Sequence, residues 1–528
     1  MPGLIKRPVR ATPPVRAVRF SRKMSKPFLD QGVNSGTDAP MTRGKVALEF
    51  EAEVTLPVRL RMAYAFRVFS AIYGYEVVSS AQQADVCCVY GARCEGVLGD
   101  RIVRIPARYR VRSGSDQVPL LSKIRYANEN FYLAHGRDPM TGHPDWLGEI
   151  FEWLSAGLEM GIRDRDHSGR IPFAQSIFAT QKVPVTKPHA SLLMAWLENV
   201  LRNENRVDAL PKAPSPVASA EHLVVCSHDI DYCFTSRRSA LARLGKNMAV
   251  AVAHYRSRSF FRSNSQMAFD LLRGGKPGHY VPQMLDAIEK LGFRTTLFAV
   301  ANGRHRRDPD YRIREIVPQL TDATRRGFSV GLHGSYSSVM ENGSLSAEAA
   351  VLSEALGRRP QGNRQHWLRF DAPDQLIEAV NHAELAYDSS LGFAETCGFR
   401  NGASFAFPPY DIKKEKACGF LEIPLVIMDG SVALMARELG REPQELSEGI
   451  LAESRKWGWG GIAILWHNPM EALQVPENIN SVFWKCAKQR AAFAEQWMSA
   501  EQFVAKSLPR YQAAGLLKEI RFDAPDAN

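Results

Sequence analysis

No apolar run in the sequence approaches the roughly 18 residues that a membrane-spanning helix needs, so no transmembrane segment is expected. The N-terminus is basic but lacks the continuous apolar stretch of a secretory leader, which makes the cytoplasm the expected location. Cysteine is sparse. The eight stand at 87, 88, 94, 226, 233, 397, 418 and 486, and none forms a C-x-x-C pair. Cys87, Cys88 and Cys226 lie inside apolar, strand-like runs, so buried reduced thiols are expected rather than a disulfide framework or a structural zinc site. Residues 41–140 contain no Gly-rich phosphate loop, and no chemistry is assigned to them.

Acidic residues are outnumbered, 56 against 67 Lys and Arg, for a formal charge of +11. Residues 1–40 hold eight Lys or Arg against Asp30 and Asp38, a net +6 that is more than half of the total. With its prolines and weak periodicity, that stretch reads as a disordered basic tail, with Met41 as an alternative start. The remaining body is only mildly basic, so no nucleic-acid partner is expected.

What is present is a globular balance, 45% hydrophobic and 23% charged. A length of 528 residues implies two or three domains. Residues 58–72 carry apolar side chains at helical spacing, and 75–80 and 84–91 read as strands, which predicts a small α/β domain over 41–140. The stretch 145–162 predicts an amphipathic helix, 164–169 a turn and 189–202 a further helix. Residues 203–220 have linker composition, so 141–220 is read as a helical connector. Beyond 221 the rhythm changes. Strands are expected at 222–229, 293–300, 328–333, 385–390, 420–427 and 461–467. Helices are expected at 281–291, 311–326, 346–357, 373–383 and 445–457. This alternation predicts an α/β fold with a parallel sheet, open or closed into a barrel, over 221–528.

In such sheets the functional groups collect at the C-terminal ends of the strands. Here four strands end on His or Asp: Asp229 and Asp231, His333, Asp388 and His467. Two carboxylates one residue apart in S-H-D-I-D (227–231) suggest a division of labour. One would bind a metal and the other would take a proton. His333 in G-L-H-G-S-Y-S-S (331–338) supplies an imidazole suited to a first-row metal. Arg364 in R-Q-H-W (364–367) has a fork able to clamp a carboxylate. His467 in I-L-W-H-N (464–468) ends a buried strand, a useful place for a general acid. Taken singly, D-x-D is usually a solvated turn and a lone His a capping residue.

Together these segments resemble the five ordered motifs of the NodB-like polysaccharide deacetylases, carbohydrate esterase family four. The resemblance implies a distorted (β/α)7 barrel and removal of N-acetyl groups from a carbohydrate or sugar precursor. It makes Asp229 the catalytic base, with Arg364 orienting it, and His467 the general acid, supported by Asp388 in Y-D-S-S-L. It makes Asp231 and His333 ligands of a divalent metal, zinc or another first-row ion. Ser337 falls at the family's third ligand position, where a second His is usual, and a hydroxyl is a poorer ligand than imidazole. His366 replaces the family's Pro and is either the missing ligand or a structural residue. Tyr232 stands where the family has Gly. His228 should point away from Asp229 by strand alternation and be a packed, hydrogen-bonded residue. Residues 146–200 also resemble the segment before the barrel in one group of these deacetylases. Ser337 leaves an alternative open, a carbohydrate-binding or regulatory module whose metal site has decayed. A third reading keeps the hydrolase but gives it a nucleotide-linked sugar or another small amide.

Overall fold

The computed structural model describes residues 43–91, 102–112, 117–202, 210–214, 221–231, 245, 268–269, 280–309, 311–467 and 477–518. The basic tail expected over 1–40, most of the linker over 203–220, Tyr232, Cys94 and Cys233 lie outside these residues. The six described cysteines are buried free thiols.

Strands β1 (Lys45–Phe50), β2 (Glu76–Val77), β3 (Val86–Gly91) and β4 (Ile102–Pro106) form a parallel sheet in the order β2-β1-β3-β4. Helix Leu56–Tyr73 joins β1 to β2 and stops where Gly74 takes φ +75°, a left-handed conformation that costs glycine little. Met62, Phe66, Phe69 and Tyr73 on this helix are all buried. The sequence reading found the helix, β2 and β3 but missed β1 and β4. Lys45, Glu49 and Arg104 interrupt the apolar pattern of those two strands.

A hairpin of β5 (Ser122–Tyr126) and β6 (Glu129–Leu133) follows, turning on Ala127 and Asn128, both at positive φ as a two-residue turn between antiparallel strands prefers. The helix expected over 145–162 covers only Trp146–Leu154. Ala156 then takes φ +55° and the chain tightens into a 3-10 turn at Gly157–Glu159. Asp145 caps the helix start by accepting from Gly148 N at 2.8 Å. The same carboxylate accepts from Tyr90 Oη and from the backbone N–H groups of Arg108 and Tyr109.

The second sheet is built from β7 (His222–Ile230), β8 (Thr296–Ala299), β9 (Ser329–Gly334), β10 (Gly362–Gln365), β11 (Tyr387–Asp388), β14 (Leu421–Glu422), β15 (Leu425–Met428), β16 (Gly460–Leu465) and β17 (Glu495–Met498). Between β11 and β14 a small antiparallel pair, β12 (Tyr410–Asp411) and β13 (Lys416–Ala417), lies outside it. Every pairing in the large sheet is parallel. β14 pairs β11 while β15 pairs β16, and only Ile423 and Pro424 separate β14 from β15. Ile423 N donates to Asp388 O, and Ala463 N donates to Pro424 O. One stretch of chain, 421–428, therefore joins both ends of the sheet, and the sheet closes into a barrel. The barrel is distorted at β7, which pairs β17 along His222–Val225 and β8 along Ser227–Ile230.

Alternation along β7 sorts its residues between two cores. Leu223 and Val225 join the inner core, which is continuous with Phe66, Trp146 and Trp196 of the N-terminal elements. Val224, Cys226 and Ile230 join the outer layer under the surrounding helices. The side chains of Ser227, Asp229 and Asp231 follow the inward set. β16 behaves likewise: Ala463 and Leu465 face in, Ile464 and Trp466 face out, and His467 returns inward.

Candidate active site

The inward set places Asp229, Asp231, His333, Arg364 and His467 together at the C-terminal ends of β7, β9, β10 and β16. His333 and Arg364 are paired in register on adjacent strands. Arg364 is fully buried and lies with its guanidinium carbon 5.0 Å from the Phe298 ring centroid. It donates through Nη1 to Asp229 Oδ1 at 3.5 Å, through Nη2 to Ser389 Oγ at 3.0 Å, and through Nε to the Ser389 carbonyl. The Asp229 carboxylate is thus held by a cation that cannot lose its proton.

The His333 Nδ1–H donates to the Arg364 carbonyl at 2.7 Å, which turns Nε2 toward the site. That Nε2 lies 3.3 Å from Asp231 Oδ1, and neither atom has a hydrogen-bond partner although both are buried. His366 Nε2 is 3.5 Å from the same Asp231 oxygen. The three ligand atoms of Asp231, His333 and His366 lie within 4.8 Å of one another. Tetrahedral ligands at about 2.0–2.1 Å from a zinc-like ion are separated by roughly 3.3–3.4 Å, so this set fits a first-row divalent ion. Two orphaned, buried atoms facing each other are otherwise costly.

Two expectations need correction here. His366, and not Ser337, is the third side chain that the structure groups with Asp231 and His333. Ser337 lines a cavity of about 500 Å³ with Asn302, Arg304, Asp308 and Glu348. A ligand on β9's own loop is replaced by one following β10. Its ring is steadied by Asp308, 3.4 Å from Nδ1, a carboxylate-imidazole arrangement of the kind that orients metal ligands. Behind His366 the backbone of Trp367 and Leu368 takes φ +64° and +49°, a left-handed pair that bulky residues rarely adopt.

The second correction concerns Asp388, which does not support His467. Alternation puts Tyr387 inside the barrel and Asp388 outside it. There Asp388 accepts from Asn363 Nδ2 at 2.7 Å and from the Ser390 backbone N–H at 2.8 Å. It faces Glu422, whose carboxyl is pushed well above the usual range by burial and by the Asp388 charge. The partner of His467 is Asp429, the first residue of the helix Asp429–Leu439. The His467 Nδ1–H donates to Asp429 Oδ1 at 2.8 Å, and the His467 backbone N–H donates to Oδ2 at 2.8 Å. Nε2 is thereby aimed at Asp231 Oδ2, 3.7 Å away. Burial lowers the His467 pKa, but Asp429, with help from Asp231 and Asp229, outweighs it and raises the value to about 10. Burial likewise opposes a proton on His366, and Asp231 and Asp308 raise its pKa to about 9. Burial raises the Asp231 pKa, but the imidazoles of His366, His333 and His467 outweigh it and hold Asp231 well below the usual range.

His228 lies as expected on the outer face. Its Nδ1–H donates to Trp466 O at 2.8 Å and its ring meets Phe483 edge-on, while burial lowers its pKa to about 4. Asp308 and Asp429 were missed. Asp429 follows the apolar strand directly, the same cue that marked the other strand-end residues. Asp308 sits in a charged loop (RHRRDPD) with no pattern to single it out.

No family model matches the chain, and no curated protein matches it. Among solved structures it is similar to a protein of Mycobacterium smegmatis assigned as a polysaccharide deacetylase, at 16% identity and a TM-score of 0.37 over 59% of this chain and 97% of that one. It is also similar to the Bc1960 peptidoglycan N-acetylglucosamine deacetylase, at 10% identity and a TM-score of 0.29 over 53% of this chain and 86% of that one. A third is a variant of the peptidoglycan deacetylase PdaC from Bacillus subtilis, at 9% identity and a TM-score of 0.27 over 57% of this chain and 98% of that one.

Proposed function

We propose that the barrel is a divalent-metal-dependent hydrolase that removes acetyl groups from N-acetylated sugars. The observation that carries this reading is the pair of buried, unpartnered atoms on Asp231 and His333, facing each other beside His366 and within reach of Asp229 and His467. Asp231, His333 and His366 would hold the ion. When bound it supplies Lewis acidity, polarising the amide carbonyl and acidifying the attacking water. Asp229, aimed by its contact with Arg364, takes the proton of that water. His467, oriented by Asp429, gives a proton to the departing amine as the C–N bond breaks. Water adds across the amide, and acetate and a free amino sugar result.

The alternative of a decayed binding module rested on the hydroxyl at Ser337. His366 restores the third ligand, which favours the enzyme. Among the described residues no helix is long and apolar enough to cross a membrane, and a cytoplasmic, sugar-precursor role belongs to this proposal. The test is the metal content of the purified chain together with acetate release from a panel of N-acetylated sugars. Stoichiometric divalent metal and release are expected. No metal binding and no release from any sugar would return the case to the binding module.

A further inference from the structure

Close to the metal-ligand set lies a cluster of cations that the mechanism above does not use. Arg307 has its guanidinium carbon 5.0 Å from the Tyr336 ring centroid and 4.9 Å from that of Trp367, and Arg369 lies 4.2 Å from Tyr336. Trp367 is 41% exposed and directly follows the ligand His366, their rings 6.2 Å apart. Arg307 precedes Asp308, the residue that steadies His366. Both guanidinium groups are fixed by neutral acceptors. Arg307 Nη1 donates to Ser168 Oγ and Tyr336 Oη, each at 2.7 Å. Arg369 donates through Nε to Ser168 O and through Nη1 to Tyr336 O, each at 2.8 Å.

Two arginines of the helical connector, on either side of Ser168, show the contrast. Arg165 is paired with Asp371 and Arg170 with Asp166. Among the described residues no carboxylate pairs with Arg307 or Arg369. Two oriented forks whose charge is left uncompensated suit a phosphate, which Arg grips through paired N–H groups. The cavity lined by Arg304 beside Asp308 suits an anion less, because Glu341 and Glu348 share its wall.

We propose that Arg307 and Arg369, set on the aromatic rim of Tyr336 and Trp367, bind a phosphate group carried by the substrate, so that the chain acts on a phosphorylated or diphosphate-linked N-acetyl sugar. This rests on the deacetylase reading and names its substrate class. The connector takes part in the site, since Ser168 anchors both guanidinium groups.

The test compares N-acetylglucosamine 1-phosphate, the UDP-linked sugar, a glucuronate-bearing N-acetylglucosamine disaccharide and the uncharged methyl glycoside. Binding to the full-length, metal-loaded chain is followed by calorimetry at low and high salt, with acetate release measured in parallel. Either phosphate-bearing sugar should bind at least about tenfold more tightly than the methyl glycoside, and salt should narrow the gap. Arg307→Gln and Arg369→Gln should each reduce that ratio by about tenfold. The wild-type ratio and its salt dependence stand as a test even if a variant misfolds. Equal binding of the 1-phosphate and the methyl glycoside overturns the inference, as does a preference that survives in both variants. Tightest binding of the glucuronate disaccharide overturns it in favour of an acidic polymer. Acetate release without any phosphate preference sinks this inference alone. Phosphate-selective binding with no release from any probe sinks the deacetylase reading and leaves the phosphate site standing.

Discussion

Two aspartates, the buried Asp145 beside the N-terminal sheet and the half-buried Asp231 in the barrel, resolve the same problem in opposite ways. Asp145 is fully buried, and its two oxygens take four donors: Gly148 N, Arg108 N, Tyr109 N and Tyr90 Oη. Asp231 is 16% exposed at its side chain, and its Oδ1 meets imidazole nitrogens with no hydrogen bond made. A carboxylate saturated by N–H and O–H donors has nothing left to offer a ligand. One that lies among imidazole nitrogens, with an oxygen left without a hydrogen bond, still has an oxygen to offer. The local environment of a buried charge, more than its burial, separates scaffold from chemistry.

The largest expected effects lie on the barrel side of that contrast. His467→Ala and Asp229→Asn should each lower kcat by about 10²- to 10⁴-fold while divalent metal remains bound. Steady-state kinetics with metal analysis of each variant checks this, and a variant that loses its metal would count against the assigned roles. On the scaffold side, Asp145→Ala should destabilise the chain by about 3 kcal/mol, because four buried donors lose their acceptor. Urea unfolding measures that loss, and turnover per folded molecule should be unchanged. A fall in turnover with intact stability would erase the distinction.

Smaller effects sharpen the site itself. Asp308→Asn should weaken metal binding about 10- to 100-fold through the orientation of His366, whereas Ser337→Ala should leave affinity nearly unchanged. Chelator competition reads both. A general acid works only while protonated, so activity should fall as pH rises through the His467 pKa. Asp429 raises that pKa toward about 10, and Asp429→Asn should therefore move the alkaline limb of kcat/KM to lower pH. Asp388→Asn should not move it. Metal binding carries its own sign. Without metal, His366 holds a proton up to about pH 9, and that proton must leave before the nitrogen can ligate. Affinity should rise with pH until about 9, with proton release detectable in weakly buffered titrations.

Much of the barrel was legible because β7, β8, β9 and β16 are apolar runs, and β7, β9 and β16 lead directly into chemistry-bearing residues. β10 was missed, since Gly362–Gln365 reads GNRQ, a buried strand with no apolar side chain. That gap left His366 undecided between the missing ligand and a structural residue, because its place beside Asp231 depends on β10 lying next to β9. Asp388 was misassigned although the means to place it were present. Alternation from Tyr387, applied as it was to His228, sends Asp388 outward. The pairing of His467 with Asp429 needs β15 and β16 as neighbours, a fact of topology that no local pattern encodes.

Ring closure on 421–428 also sets an order of events during synthesis. The residues that bear ligands, at 231, 333 and 366, leave the ribosome before the stretch that seals the ring, and His467 comes after both. Once β11 has emerged, Asp231, His333 and His366 are all present but His467 is not, and the β7 and β11 edges of the sheet lack their later partners. Those edges stay open until 421–428 joins β11 and 460–465 joins β7. On the proposed roles, the groups that would hold the metal are therefore made before the acid, and the two open edges are where a chaperone has most to cover.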